Sequence, residues 1–221
     1  SSNVSLQTIF RSSPDIVRLA FSVLSSGSTI FTNMENPLDK VEDSFTLDEE
    51  KRSQKPYFIG FDTDELVIEN VFRAVDKLAT ETKSKKCRII IIASTDSILS
   101  KLERFASGEN KPAEFIKKRG DKRAQEQAEK GNKYLFSGID YVGGLEFDGV
   151  VIVGADKGHL PATEENEIDS RHFLNHASYN RLYVAITRAK FGVSVLYCKV
   201  RGMSKILQFS VKEKMIDESS L

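Results

Sequence analysis

Arg88–Ala93 reads RIIIIA, four isoleucines in succession between a cation and a small residue. A strand with one wet face alternates apolar and polar side chains. An unbroken apolar run needs cover on both faces, which is the condition of a parallel sheet buried between helices. Val150–Val153 (VVIV) repeats the pattern, and Val193–Cys198 (VSVLYC) is a third strand candidate. Weaker strand candidates are Leu6–Phe10, Tyr57–Phe61 and Tyr134–Phe136. Helical spacing fills the intervals. Ser13 is placed to cap a helix with Pro14 at its first position, followed by Ile16, Val17, Ala20, Phe21 and Leu24 on one side. Asp64 to about Thr82 sets Val67, Val71, Val75, Leu78 and Ala79 in one stripe, and Asp96–Ala106 does the same with Leu99, Leu102 and Phe105. The alternation of strand and helix predicts an α/β domain in three layers around a mostly parallel central sheet.

Composition bounds the partners without naming them. The 221 residues suffice for one domain with a substantial core, and 32 lysines and arginines balance 32 aspartates and glutamates. No overall field draws the chain to a polyanion, so any nucleic-acid contact must be local. Cys87 and Cys198 lie beside or within apolar runs and read as buried thiols of a reducing compartment, not as a disulfide or a metal pair. No apolar run approaches membrane-spanning length and no signal peptide is visible, so a cytoplasmic location is expected. The opening SSNVSL lacks an initiator methionine and reads as a cut in a longer protein. Two segments stand apart by charge. Glu35–Glu50 is acidic and loop-like. Lys111–Lys133 is rich in cations (Lys117, Lys118, Arg119, Lys122, Arg123, Lys130, Lys133) and reads as a short charged insertion, either a contact with a phosphate backbone or a solvated helix, since Asp121, Glu126 and Glu129 interleave.

Arg181–Lys190, RLYVAITRAK, carries the most chemistry. At helical spacing Leu182, Ala185, Ile186 and Ala189 form an apolar stripe, and Arg188 lies off its edge, so the string predicts a helix that holds one guanidinium out toward an oxyanion. Upstream, Gly143–Pro161 reads GGLEFDGVVIVGADKGHLP, and Leu6–Val17 reads LQTIFRSSPDIV. In that order the three stretches resemble signature motifs of the UvrD-like superfamily 1 DNA helicases. Arg11 and Ser12 match LxxNYRSxxxI, Gly144, Leu145, Glu146 and Phe147 match KGLEF, and Tyr183, Val184, Ala185, Thr187, Arg188 and Ala189 match YVAxTRA. The resemblance runs from Leu6 to about Tyr197 and implies that residues 1–221 are the second, C-terminal RecA-like domain of such a helicase. ATP and Mg2+ would then be shared with an N-terminal RecA-like domain of the same protein. Each role follows from the motif match. Arg188 would be the arginine finger on the γ-phosphate, Arg11 a second phosphate contact, Glu146 the ribose acceptor, and Gly144 the point of close backbone approach. Single-stranded DNA is the implied partner, with Ser137, Gly138 and Asp140 as the positions expected to face it.

The chain also departs from that pattern. No GxxxxGK[ST] occurs, so these residues alone are expected not to turn over ATP. Where the family reads TxHxxKG before its GLEF, this sequence has Gly138, Asp140 and Gly143, which replaces a neutral imidazole by a carboxylate and removes a lysine. Those changes leave a second reading, a noncatalytic interaction or DNA-sensing module that keeps the fold. His172 and His176 with Asp169 lack a third well-placed ligand and are not read as a zinc site. His159 reads as a loop residue near the cleft, and Tyr183 as core packing.

Overall fold

The computed structural model describes residues 11–26, 45–162 and 171–221, with 171–176 in backbone only. The strand expected at Leu6–Phe10, most of the acidic 35–50 segment, and the side chains of Asp169, His172 and His176 lie outside the described residues. Among the described residues there are seven strands: β1 Tyr57–Phe61, β2 Ile89–Ala93, β3 Ala113–Ile116, β4 Tyr134–Gly138, β5 Phe147–Val153, β6 Ala189–Cys198 and β7 Asp217–Glu218. They form one sheet in the order β3-β4-β2-β5-β6-β1-β7, with every pairing parallel. Eight helices accompany them among the described residues: α1 Pro14–Ser26, α2 Leu47–Arg52, α3 Asp64–Glu69, α4 Val71–Glu81, α5 Asp96–Gly108, α6 Lys122–Gly131, α7 Arg171–Ile186 and α8 Lys205–Lys212.

The two-residue period of the strands distributes the core between two faces. Ile90 and Ile92 of β2 join Val150, Ile152, Val193 and Val195 under α1, α6, α7 and α8. Ile89 and Ile91 turn the other way, with Val151, Val153 and Leu196, under α3, α4 and α5. All four isoleucines are fully buried, which is what an unalternating run requires. Cys87 and Cys198 are free, buried thiols as expected.

Two strand-to-helix connections use one local solution. After β1 the chain reads Asp62-Thr63-Asp64, and after β2 it reads Ser94-Thr95-Asp96. In each, the threonine hydroxyl accepts from the amide three residues on, Leu66 at 3.1 Å and Ile98 at 3.2 Å, and the following aspartate enters the first helical turn. Ser13 departs from its expected role. It precedes α1 with Pro14 in first position, but its hydroxyl is buried with no hydrogen-bond partner. Its amide is held instead by the Lys190 carbonyl at 2.9 Å.

Three further expectations are corrected. The helix read from Asp64 to Thr82 is divided at Asn70, whose ψ of 4° leaves the helical range and whose side chain donates back to the Leu66 carbonyl at 2.8 Å. The charged 111–133 segment supplies edge strand β3 and helix α6, so its middle is part of the sheet architecture. The helix expected over Arg181–Lys190 stops at Ile186, and Ala189 already belongs to β6. What ends it is the sheet: the Phe147 amide at the start of β5 takes the Arg188 carbonyl at 2.9 Å, committing the backbone to the ladder.

Gly149 and Gly192 are register partners on β5 and β6, and both lie beneath Leu78 of α4. A Cβ on Gly192 would come within 2.7 Å of Leu78 Cδ1 and 2.9 Å of Thr82 Cγ2. The paired glycines thus let α4 approach the sheet. Gly192→Val is expected to destabilise the fold by about 1–3 kcal/mol through overpacking, read from the urea midpoint. Leu78→Ala in the same chain should recover part of that loss; strict additivity of the two would show that the helix does not bear on this glycine.

Candidate functional site

Three distant stretches meet at the N-terminal edge of β5 and β6. Ser12 Oγ donates to the Ala189 carbonyl at 2.6 Å, which fastens the start of α1 to the first residue of β6. Gly143 and Gly144 lead into β5. Gly144 has φ +79°, a left-handed conformation that favours glycine, and no atom lies within 4 Å of where its Cβ would be. The backbone therefore offers an open approach just before Glu146. Around this junction lies a cleft of about 620 Å³, lined by Arg11, Gly144, Glu146, Tyr183 and Arg188 among others. The motif residues taken from separate parts of the sequence are neighbours here.

Arg188 is half-buried, and each guanidinium contact is to a neutral acceptor. Nε donates to the Val184 carbonyl at 3.1 Å, Nη1 to the Leu145 carbonyl at 3.4 Å, and Nη2 to Thr187 Oγ1 at 3.2 Å. Among the described residues it makes no ion pair. Burial pushes its pKa down, opposed by the charge of Glu146 and by Tyr183, although an arginine stays protonated at any physiological pH. A partly desolvated cation with no direct ion pair is a costly arrangement in a folded chain, and an anion entering the cleft would relieve it. Arg11 contrasts with it. Its Nη1 pairs with Glu146 Oε2 at 2.9 Å, and both side chains are more than half exposed, so the pair contributes little to stability and can open at low cost.

The cleft holds cations that sequence reasoning passed over. Arg88 reaches Glu129 at 2.8 Å, the Glu146 carbonyl at 3.3 Å and Asp148 at 3.5 Å. Arg52 takes the other oxygen of Asp148 at 3.1 Å and stacks over Phe191 at 4.0 Å. Lys190 lies over the same ring and pairs with Glu49 at 3.3 Å. The signal for Arg88 and Lys190 was their position at the N-terminal ends of strands, where the chain turns toward this edge. Tyr183 packs edge-on against Phe21, as expected of a core aromatic, and also lines the cleft.

The positions expected to face a strand lie elsewhere. Ser137 is level with Ile92 and Ile152, near the C-terminal end of β5, whereas the cleft sits at the first residue of that strand. Ser137 is fully buried with its hydroxyl on the Gly138 carbonyl, so it has no surface to offer a ligand. Gly138 is buried against the Tyr141 ring. Asp140 is exposed and pairs with Arg181 Nε of α7 at 2.9 Å, which neutralises the carboxylate expected to repel phosphate.

His159 is likewise away from the cleft. At the C-terminal end of β5 its Nδ1 meets Asp156 Oδ1 at 2.5 Å, and Asp64 completes a trio whose ligand atoms lie within 4.8 Å of one another. The trio is already compensated. Arg201 holds Asp64 through three contacts of 2.6 to 3.0 Å, and Asp156, almost wholly buried, accepts the Cys198 amide at 2.8 Å.

A three-layer domain with an all-parallel sheet of this kind has the RecA-like fold. Residues 119–200 match the family model of the UvrD-like helicase C-terminal domain. No curated protein matches the sequence. Among solved structures, the C-terminal domain of a possible DNA helicase from Lactobacillus plantarum WCFS1 aligns over 95% of this chain and 98% of its own, with TM-score 0.62 and 11% identity. S. tokodaii Xpd4 aligns over 76% of this chain at TM-score 0.45 and 15% identity, and an XPD helicase over 75% at 0.47 and 17%; this chain spans 39% and 35% of their lengths. No helix among the described residues is long and apolar enough to cross a membrane.

The Asp64–Arg201 pair gives a pH dependence. The Arg201 hydrogen bonds hold the Asp64 pKa below its unfolded value, against a smaller opposing effect of burial. Such a carboxylate stabilises fully above its unfolded pKa of about 3.9 and loses that contribution as pH falls through its folded value. Arg201→Met should therefore lower stability at neutral pH and flatten the decline below about pH 4, followed by urea midpoints across an acid series. An unchanged acid limb would remove Asp64 from the account.

Proposed function

We propose that this chain is the C-terminal motor half of an ATP-dependent UvrD-like DNA helicase or single-strand translocase. In this reading it supplies the arginine side of an ATP site shared with an N-terminal RecA-like domain. The observation that carries the reading is Arg188, a half-buried guanidinium on the cleft wall with no carboxylate partner. Its Nε bond to the Val184 carbonyl and its Nη2 bond to Thr187 fix the plane of the fork, so the group is oriented before any anion arrives. Preorganised cations of this kind lower the barrier of phosphoryl transfer by neutralising charge that builds on the transferred group.

The remaining residues take roles consistent with their geometry. Arg11 exchanges the Glu146 carboxylate for a phosphate oxygen, and the released Glu146 accepts from a ribose hydroxyl while Gly144 permits close approach. The cleft fits a triphosphate better than a metal. Its two carboxylates, Glu146 and Asp148, are both engaged by arginines, so Mg2+ would be held by residues of the opposite domain and would supply charge neutralisation at the phosphates. Because the cations sit on one domain and the phosphate-cradling loop on another, bound ATP favours closure and hydrolysis favours opening. A strand contacting Asp140 at the far end of the sheet would be moved by that cycle. The competing reading, a noncatalytic interaction or DNA-sensing module, rested on Gly138, Asp140 and Gly143, and the Arg181 contact bears on the Asp140 part of it alone.

The test is ATP hydrolysis by the full-length protein, with and without single-stranded DNA, in wild type and Arg188→Ala. A strand-stimulated rate that falls by about a thousandfold or more in the variant is the expected result. A full-length protein that never hydrolyses ATP, or a variant equal to wild type, would leave the binding module as the better account.

A further inference from the structure

A dense run of positive charge lies outside the cleft. Between β3 and α6 the sequence runs Lys117-Lys118-Arg119-Gly120-Asp121-Lys122-Arg123, five cations and one carboxylate in seven residues of a chain whose total charge is zero. The fold turns this run into a surface. β3 is the edge strand, and Gly120, at φ +75°, reverses the chain beyond it so that the cations before and after the glycine are all exposed. The one carboxylate is occupied: Asp121 caps α6 by accepting the Ala124 amide at 3.4 Å. Lys117 is partly occupied as well, pairing with Glu103 at 2.9 Å. Lys118, Arg119, Lys122 and Arg123 make no ion pair or side-chain hydrogen bond among the described residues. Arg52, Arg88, Lys133 and Arg201, by contrast, each pair with a carboxylate.

Register gives the patch its neighbour. Ile116, the last residue of β3, pairs with Ser137 of β4, so the loop from Lys117 onward leaves the sheet beside Gly138 and Asp140. Asp140 is the exposed position there that the proposed motor turns toward a strand, and it is paired with Arg181.

We propose that Lys118, Arg119, Lys122 and Arg123 form a phosphate-backbone contact for single-stranded nucleic acid, a lateral extension of the strand path across the sheet edge. The proposal rests on the motor reading for the position of that path, but the chemistry is its own. Four uncompensated cations on a turn and the first helical turn match the repeating charge of a phosphodiester chain. No aromatic is interleaved among them, so the contact is insensitive to base sequence.

The experiment is fluorescence anisotropy of a labelled oligothymidylate with the full-length protein over a salt series. Wild type is compared with a variant carrying Lys118→Ala, Arg119→Ala, Lys122→Ala and Arg123→Ala, with thermal unfolding run alongside. All four side chains are exposed, so unfolding should be unchanged, and so should ATP hydrolysis in the absence of DNA. Each phosphate contact on a single strand contributes about 0.7 to the slope of log affinity against log salt, so the variant should bind more weakly with a slope reduced by about 3. An unaltered slope would overturn the assignment. So would polyglutamate of matched charge binding as tightly as the oligonucleotide, which would make the patch a site for acidic peptide. Failure of the motor reading looks different: there Arg188→Ala leaves hydrolysis unchanged or hydrolysis is absent, while the salt slope still reports on the patch.

Discussion

The hydrogen bond from the Phe147 amide to the Arg188 carbonyl is the joint on which the site depends. It opens the β5–β6 ladder and ends α7, so a two-residue link, Thr187–Arg188, must carry the chain from helix to strand. With that carbonyl fixed, the guanidinium has one way to lie, back along the last turn of α7 toward Val184 and across to Leu145. The next two carbonyls are also taken, Ala189 by Ser12 and Lys190 by Ser13. Backbone acceptors of three consecutive residues thus recruit two other stretches of sequence. The convergence of the motifs is a consequence of hydrogen-bond saturation in a buried junction, where an unpaired carbonyl is costly.

The same logic explains which parts of the fold could be read in advance. Ile89–Ile92 and Val150–Val153 are fully buried in the sheet, and no alternative structure hides such runs. The amphipathic α1, α4 and α5 followed from spacing because each covers only one face of the sheet. What could not be read was decided by contacts distant in sequence. The Arg181–Lys190 stripe is helical by local pattern, and only the Phe147 amide, forty-one positions before Arg188, terminates it. Asn70 interrupts a helix whose apolar spacing continues through it. The 111–133 segment looked like an excursion because α6 is polar almost throughout and buries only Ala124 and Ala128. Small residues leave a faint apolar signal, and β3, at the edge, is only half-buried along most of its length.

Site residues were legible to the extent that their roles are local. Arg11, Gly144, Glu146 and Arg188 share one cleft, as the resemblance implied. Glycine at position 144 has a backbone reason in its φ of +79°. Ser137, which the resemblance placed toward a strand, lies within β4, where every residue is buried. The Arg52–Asp148–Arg88 network escaped notice since no spacing rule joins residues from α2, the approach to β2 and the interior of β5.

Position along the strands separates the two candidate surfaces. The cleft lies at the N-terminal edge of β5 and β6, while Gly138, Asp140 and the basic turn after β3 lie toward the C-terminal end of β4 and beyond it. Two elements span the distance. The segment from Ile139 to Glu146 leaves β4 and ends at the cleft, and α7 holds Arg181 against Asp140 one and a half turns before its terminus at Ile186. One continuous helix thus joins the Asp140 contact to the Thr187–Arg188 link. The charge pattern follows the same division. On the cleft side the cations are preorganised by neutral acceptors or held by weak, exposed pairs, an arrangement suited to a ligand that enters and leaves. On the outer side they are left unpaired on a turn, suited to a polyanion that slides. A chain with no net charge thus leaves Arg188 on the cleft wall and Lys118, Arg119, Lys122 and Arg123 on the outer turn without ion pairs among the described residues.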